Sequence, residues 1–267
     1  DEGVECPRWQ GVTAHSLRRC LIEVGTRRAP STAQRYYEIR RAFFAFLESD
    51  GLLEPNPMRQ VVKPKAPKPI IEPLAQEDVE ALVASCGSDF VGQRDRLVLL
   101  LLVDCGLRAS ELAELKAEDV DMGNQLLLIR HGKGDKSRRV PFGHAVAAAL
   151  KSWLPRLEGL PCDRLIVNCF GNGIDRYRVR HIILKRAKRA GLQGKVGPHL
   201  LRHTCAVSHL RAGGDVFSLQ KILGHADLTM TRRYTELADT DVQNKHRQFS
   251  PADRLRQPET ETRRRLR

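Results

Sequence analysis

The stretch LGHADLTMTRRYTEL, residues 223–237, places Tyr234 directly behind two arginines and nine positions after His225. A tyrosine hydroxyl becomes a nucleophile when a base removes its proton and positive charge surrounds it. However, a helical tyrosine more often packs with its hydroxyl at the surface. A histidine that begins a helix often makes only local hydrogen bonds. The stretch alone therefore leaves open whether Tyr234 is a nucleophile or an ordinary helix residue.

Two further stretches offer groups that bind or activate a phosphate. HLLRHT places His199 and Arg202 three positions apart on a predicted helix, which puts both on one face. CGLRASEL places Arg108 behind an apolar helix and a glycine, where Glu111 one turn on would hold it in a cleft. Taken singly, the first pattern is typical of a polar helix face. The second is typical of an arginine that complements a helix dipole.

A fourth stretch, HGKGDKSRRV, places Lys133 between two glycines at a predicted hairpin turn. An exposed lysine in a turn is common, and the pattern lacks the spacing of a phosphate-binding P-loop. Lys136 lies close to the same turn. The sequence therefore leaves the choice between the two lysines open.

In their order and spacing, the four motifs resemble the catalytic signature of the tyrosine recombinase (phage-type integrase) family. The resemblance covers residues 74–245 closely, and the helical segment before them more loosely. It implies a mainly α fold, in which a small helical core-binding domain precedes a mostly helical catalytic domain with a small antiparallel β-sheet. It also implies six catalytic residues, of which the last is the nucleophile: Arg108, Lys133, His199, Arg202, His225 and Tyr234.

The implied reaction cleaves and rejoins DNA strands through a 3′-phosphotyrosyl intermediate. Two guanidinium groups, those of Arg108 and Arg202, suit the charge that builds on the attacked phosphate, because they stay charged and present forked donors. His199 is the candidate general base, and Lys133 would protonate the departing 5′-oxygen. His225 would hydrogen-bond the phosphate or orient the attack. The scheme requires no metal and no cofactor.

The resemblance also implies partners. These are double-stranded DNA, a homotetramer on two DNA sites and accessory DNA-bending proteins, with residues 239–249 as the segment exchanged between neighbouring protomers. The expected role is integration, excision or resolution of a mobile element, as in transposition. A non-catalytic DNA-binding protein on the same fold and a type IB-like topoisomerase remain as alternatives.

Composition agrees with a polyanionic partner, since the 267-residue chain has a formal net charge of +13. No apolar run is long enough to span a bilayer, which argues against a membrane partner. The seven cysteines are scattered and no secretory signal opens the chain, which predicts reduced thiols in a cytoplasmic, nucleoid-associated protein. A zinc site from Cys205, His203 and His209 is disfavoured, because their spacing fits no familiar ligand pattern.

Four regions are expected along the chain. They are a helical DNA-binding domain (1–62), a linker rich in proline and lysine (63–73), the catalytic domain (74–249) and a basic, disordered tail (250–267). The first domain contains a predicted helix at 15–24 and another at 31–51, capped by Ser31 or Thr32. In the second helix, Tyr36, Ile39, Phe43 and Leu47 predict one apolar stripe.

The catalytic motifs fall at the ends or on the faces of predicted elements in the second domain. Within residues 124–142, two β-rich runs flank the predicted turn at 132–135, which holds Lys133. The helix that precedes Arg108 is apolar on most sides and is expected to be buried, with Gly106 as its stop. Helices are predicted at 76–86, 94–106, 109–121, 145–157, 176–191, 198–214, 215–224 and 228–237.

Overall fold

The computed structural model describes residues 11–67, 71–130, 137–192, 194, 196–224 and 250. The chain divides into two compact units, Asp1–Ile70 and Ile71–Arg267. Several predicted features lie outside the described residues: Lys133, Lys136, His225, Tyr234, the helix at 228–237, the exchanged segment 239–249 and the tail beyond Ser250.

The first unit contains helices α1 (Ala14–Arg27) and α2 (Pro30–Ser49), followed by a short 3₁₀ helix, Pro57–Gln60. The predicted cap of α2 at Ser31 or Thr32 is wrong, because Pro30 is already the first helical residue. Proline is favoured at this position, since its fixed φ suits a helix and its missing N–H would have no intrahelical partner.

Helix α2 has two apolar faces rather than the single predicted stripe. Its core face consists of Ala33, Tyr37, Phe44 and Leu47. Tyr36, Ile39, Phe43 and Phe46 are between 37% and 59% exposed and form the second face. The prediction was wrong because aromatic residues stand next to each other at 36–37 and 43–44, so spacing alone cannot say which of each pair turns inward.

Residues 61–67, at the start of the proline-rich stretch, belong to the first unit. Val61 is buried in that unit's core. Lys63 Nζ lies 2.5 Å from Glu38 Oε1, and Gln34 Nε2 donates to the Pro64 carbonyl at 2.8 Å. Residues 61–67 form no helix or strand, as expected where prolines remove backbone donors. The start of this segment is thus bound along α2.

The second unit is mostly helical. Its helices are α3 (Gln76–Ala84), α4 (Phe90–Asp104), α5 (Ala109–Glu114), α6 (His144–Trp153), α7 (Arg176–Arg189), α8 (Pro198–Arg211) and α9 (Val216–Leu223). Strands β1 (Val120–Asp121), β2 (Leu126–Ile129) and β3 (Arg138–Pro141) form one antiparallel sheet in the order β1-β2-β3. The predicted fold class, mainly α with a small antiparallel sheet, is confirmed. Within the described ranges, no helix combines the length and the hydrophobicity that a membrane span requires.

Helix α4 lies in the core of this unit, as its apolar sequence predicts. Leu97, Leu99 and Leu102 are fully buried, and Trp153 of α6 packs in the same core. The core also contains a buried ion cluster, in which Arg94 and Arg186 both bond to the Asp95 carboxylate. Such a cluster is costly to break, because removing one partner leaves an uncompensated buried charge.

Helix α5 is shorter than the predicted helix at 109–121. It ends at Glu114, and the chain then forms a 3₁₀ turn and strand β1. The reason lies in distant pairing: the Leu115 carbonyl accepts a hydrogen bond from the Leu165 N–H at 2.7 Å. Local helix propensity is a weak preference that such tertiary contacts override.

Candidate active site

Arg108 stands at the start of α5, where a sharp turn follows α4. Gly106 makes this turn with φ +59°, a conformation that side chains other than glycine rarely adopt. A Cβ at this glycine would also lie 2.6 Å from Leu223 Cδ2 and 3.2 Å from Cys205 Sγ. Close packing and backbone conformation therefore both require glycine two residues before Arg108.

Glu111 holds Arg108 in place. One carboxylate oxygen accepts the Arg108 backbone N–H at 2.8 Å, and the other lies 2.6 Å from the guanidinium Nη1. The Arg108 side chain is 29% exposed and that of Glu111 only 4%. The expectation that Glu111 holds Arg108 from one turn away is confirmed.

A second arginine, Arg138, binds the same carboxylate. Its Nη1 and Nη2 donate to the two oxygens of Glu111, each at 2.9 Å. Sequence reasoning missed this residue. The available signal was alternation along β3: Arg138 is two positions before the buried Val140, so it points to the core side of the sheet.

The two arginines keep Glu111 ionised. Burial alone would raise the pKa of this carboxyl group, but the hydrogen bonds from Arg138 and Arg108 outweigh it and lower the pKa from 4.5 to about 2. Glu111 is therefore a fixed anion at neutral pH and a rigid acceptor for both guanidiniums.

Helix α8 carries the His199–Arg202 pair, and the structure places the two side chains at different depths. Arg202 is buried, at 6% exposure. Its Nη1 donates to the Gly106 carbonyl at 2.5 Å and its Nη2 to the Leu223 carbonyl at 2.6 Å. His199, one turn earlier, is exposed, and within the described residues its side chain has no hydrogen-bond partner.

The carboxyl end of α9 completes the cluster. Arg138 Nε donates to the Ile222 carbonyl at 2.9 Å, next to the Leu223 carbonyl that Arg202 binds. The last carbonyls of a helix lack intrahelical partners and attract cations. Gly224 then ends the helix in the left-handed conformation, with φ +64° and ψ 47°. In sequence, the next residue is His225.

Four segments that are far apart in sequence thus meet through three arginines. They are the α4–α5 turn, strand β3, helix α8 and the end of α9. Of the six predicted catalytic residues, the structure describes Arg108, His199 and Arg202. Arg108 and Arg202 are linked through the turn that begins at Gly106.

The disfavoured zinc ligands each have a different partner. Cys205 Sγ donates to the Asp104 carbonyl at 3.3 Å, His203 Nε2 lies 2.6 Å from the Ile71 carbonyl, and His209 Nε2 lies 3.2 Å from Ser218 Oγ. Burial raises the pKa of the Cys205 thiol to about 12, so it stays protonated.

Helix α7 presents a basic surface. Its 14 residues include six arginines and lysines that are exposed, and no acidic residue. Four of these exposed cations are Arg178, Arg180, Lys185 and Lys188. A helix face with this charge is a suitable contact for a phosphate backbone.

Comparison with known proteins identifies the family of this chain. Residues 72–241 match the model of the phage integrase family. Tyrosine recombinase XerD of Listeria innocua is 34% identical over 232 residues, which cover 84% of this chain and 77% of the relative.

Two solved structures share the fold. The crystal structure of XerA recombinase has 32% identity and a TM-score of 0.61, with 90% of this chain and 84% of that chain covered. The XerH site-specific recombinase, bound to a palindromic difH substrate, has 23% identity and a TM-score of 0.73, with 91% and 73% covered. The chain belongs to the phage integrase family and is a tyrosine-type site-specific DNA recombinase.

Proposed function

We propose that this recombinase forms a transient ester between Tyr234 and a 3′-phosphate of DNA, and that it integrates, excises or resolves a mobile element. The observation that best supports the catalytic assignment is the pair of hydrogen bonds made by Arg202. They join Gly106 and Leu223, which stand two residues before Arg108 and two before His225. Three of the candidate motifs are thereby linked by one side chain.

The arginines would supply the charge that the reaction needs. A phosphodiester is already anionic, and attack by a tyrosine places more charge on its non-bridging oxygens. Arg108, which is held by Glu111 and partly exposed, would donate to one of these oxygens. Arg202, with its guanidinium held by two carbonyls, is the second cation of the site.

The remaining groups would move protons. His199, exposed at the start of α8, suits a general base that accepts the tyrosine proton and returns it in the reverse step. Lys133 would protonate the departing 5′-oxygen, and His225 would hydrogen-bond the phosphate. The ester conserves the energy of the broken bond, so a second 5′-hydroxyl can reverse the reaction on another strand.

Both units would contact the duplex. The exposed face of α7 supports contacts of the second unit with phosphates, and exposed Arg35 and Arg41 on α2 support contacts of the first. The proposed assembly is a homotetramer on two DNA sites in the cytoplasm at the nucleoid, assisted by DNA-bending proteins. Affinity for DNA would fall steeply with salt, because each phosphate contact releases counterions.

The function is tested by trapping covalent adducts on fragmented, nicked genomic DNA and sequencing the captured fragments. We expect adducts at one sequence, located at the junctions of a mobile element. We also expect strand exchange only between DNA molecules that both carry it. The Arg108→Ala variant should bind this DNA but form adducts about 10²-fold more slowly or worse.

Other outcomes would contradict parts of the proposal. DNA binding without any adduct would indicate a non-catalytic protein. Relaxation of supercoiled DNA without a second matched site would indicate a topoisomerase. Capture of a chromosomal site that lies in no mobile element would refute the mobile-element role while leaving the chemistry intact.

A further inference from the structure

The Arg138 side chain makes three hydrogen bonds to residues outside the sheet. All three of its guanidinium nitrogens donate at 2.9 Å, two to Glu111 and one to the Ile222 carbonyl. Its side chain is only 12% exposed. The residue therefore connects strand β3, the start of α5 and the end of α9 through one rigid planar group.

The surroundings of Arg138 leave it little freedom. A Cβ added at Gly224 would lie 2.8 Å from Arg138 Cδ and 2.9 Å from its Nε. The glycine at the end of α9 therefore gives space to this side chain. The fork geometry of the guanidinium also fixes the carboxylate plane of Glu111, which a lysine ammonium would not do.

That carboxylate is the group that holds Arg108. Without Arg138, Glu111 would keep one cationic partner and could rotate with it, so the Arg108 guanidinium would lose its fixed direction. Displacement of a catalytic group by about 1 Å can cost on the order of 10²-fold in rate. Arg138 thus lies one contact behind a group that is proposed to bind the reacting phosphate.

We propose that Arg138 is a positioning residue, which braces the Glu111–Arg108 pair against the carboxyl end of α9. This inference rests on the proposed role of Arg108. In this role, Arg138 acts through Glu111 and not by binding the phosphate itself. Its contribution is to preorganise Arg108, so that the transition state finds the guanidinium already in place.

The test compares Arg138→Lys with Arg139→Lys in single-turnover cleavage of a saturating nicked duplex that carries the captured site. Arg139 is the matched control, because it is the next residue on β3 and is exposed on the other face of the sheet. Both changes conserve the charge. We expect cleavage by Arg138→Lys to slow by about 10- to 100-fold, and that by Arg139→Lys to stay within about twofold.

A second substrate separates positioning from general damage to the fold. A methylphosphonate at the scissile position removes one negative charge, so its cleavage depends less on a well-placed guanidinium. We expect the defect of Arg138→Lys to be at least several-fold smaller on this substrate. If Arg138→Lys folds poorly, Glu111→Asp serves as the second variant, because it keeps the charge but shortens the side chain. Its cleavage defect should likewise be several-fold smaller on the methylphosphonate substrate.

Two results would overturn the positioning role. One is cleavage by Arg138→Lys at the rate of Arg139→Lys. The other is an equal loss on both substrates, since a destabilised fold would slow both alike. A failure of the proposed catalytic role of Arg108 would look different from either result. In that case, Arg108→Ala would cleave the ordinary substrate at the wild-type rate.

Discussion

Glu111 brings two guanidinium groups to one carboxylate in a position that is almost closed to solvent. Burying a single charge is costly, but here each charge has a partner and each carboxylate oxygen accepts directed hydrogen bonds. At the scale of residues, the candidate site is therefore a preorganised ion cluster, in which Arg108 is the partly exposed member. The stability of the protein and the orientation of Arg108 depend on the same carboxylate.

This carboxylate should give the protein a specific pH dependence. A group with a lowered pKa contributes stability that is fully present above its unfolded pKa of 4.5 and is lost as the pH falls through the folded value of about 2. We expect Glu111→Gln to lower the free energy of unfolding at pH 7 by about 3 kcal/mol. That deficit should shrink by about 2 kcal/mol between pH 7 and pH 3.

Trp153 provides the measurement. It is buried in the second unit, and the chain's other tryptophan is Trp9. Urea denaturation followed by fluorescence in a Trp9→Phe background therefore reports on the unit that contains Glu111. An equal deficit at both pH values would show that the carboxylate does not titrate with the lowered pKa.

At the scale of elements, the end of α9 has a special role because two arginines from other elements bind its last carbonyls. Arg138 of β3 and Arg202 of α8 hold adjacent residues of this helix end. In sequence, the segment that follows contains His225 and Tyr234. Gly224, in the left-handed conformation, ends the helix directly before that segment.

Gly224→Ala should therefore impair catalysis beyond its cost in stability. Gly191 is a matched control, since its φ of +71° is close to the +64° of Gly224, and an added Cβ there would meet nothing within 4 Å. Each alanine should cost about 1 kcal/mol for the left-handed backbone. Only Gly224→Ala, which presses on Arg138, should slow single-turnover cleavage by about tenfold or more. Equal cleavage rates in the two variants would contradict this account of the helix end.

The sequence predicted elements better than it predicted their faces and ends. Helix α4 was predictable because it is apolar on most sides, and β2 and β3 were predictable from the β-rich runs around a glycine turn. The inward face of α2 was not, since aromatic residues adjoin at 36–37 and 43–44. The end of α5 was not predictable either, because it depends on the Leu115 carbonyl pairing with Leu165, 50 residues later.

At the scale of the whole molecule, the motifs are predictable from sequence and the contacts that join them are not. Arg108 and its support from Glu111 could be inferred, because both lie within one helical turn. The contact between Arg138 and Ile222 spans 84 residues, and that between Arg202 and Gly106 spans 96. No local pattern encodes such pairings, and only the fold of the second unit creates them.

The net charge of +13 also acts at this scale. This positive charge attracts polyanionic partners to the protein as a whole. The exposed cations of α7 concentrate part of the charge on one helix. Charge explains affinity for DNA but not chemistry, which depends on a nucleophile. We therefore expect one tyrosine, Tyr234, to become esterified to the strand that the protein cuts.

The most direct measurement is mass-spectrometric mapping of the peptide that stays attached to DNA after cleavage of a nicked duplex. We predict that the nucleotide is linked to Tyr234. Tyr234→Phe should bind DNA with unchanged affinity but form no adduct, while the control Tyr37→Phe, which removes a hydroxyl but keeps the ring in the core of the first unit, should form it normally. An adduct that persists in Tyr234→Phe, or a nucleotide mapped to another residue, would contradict the account.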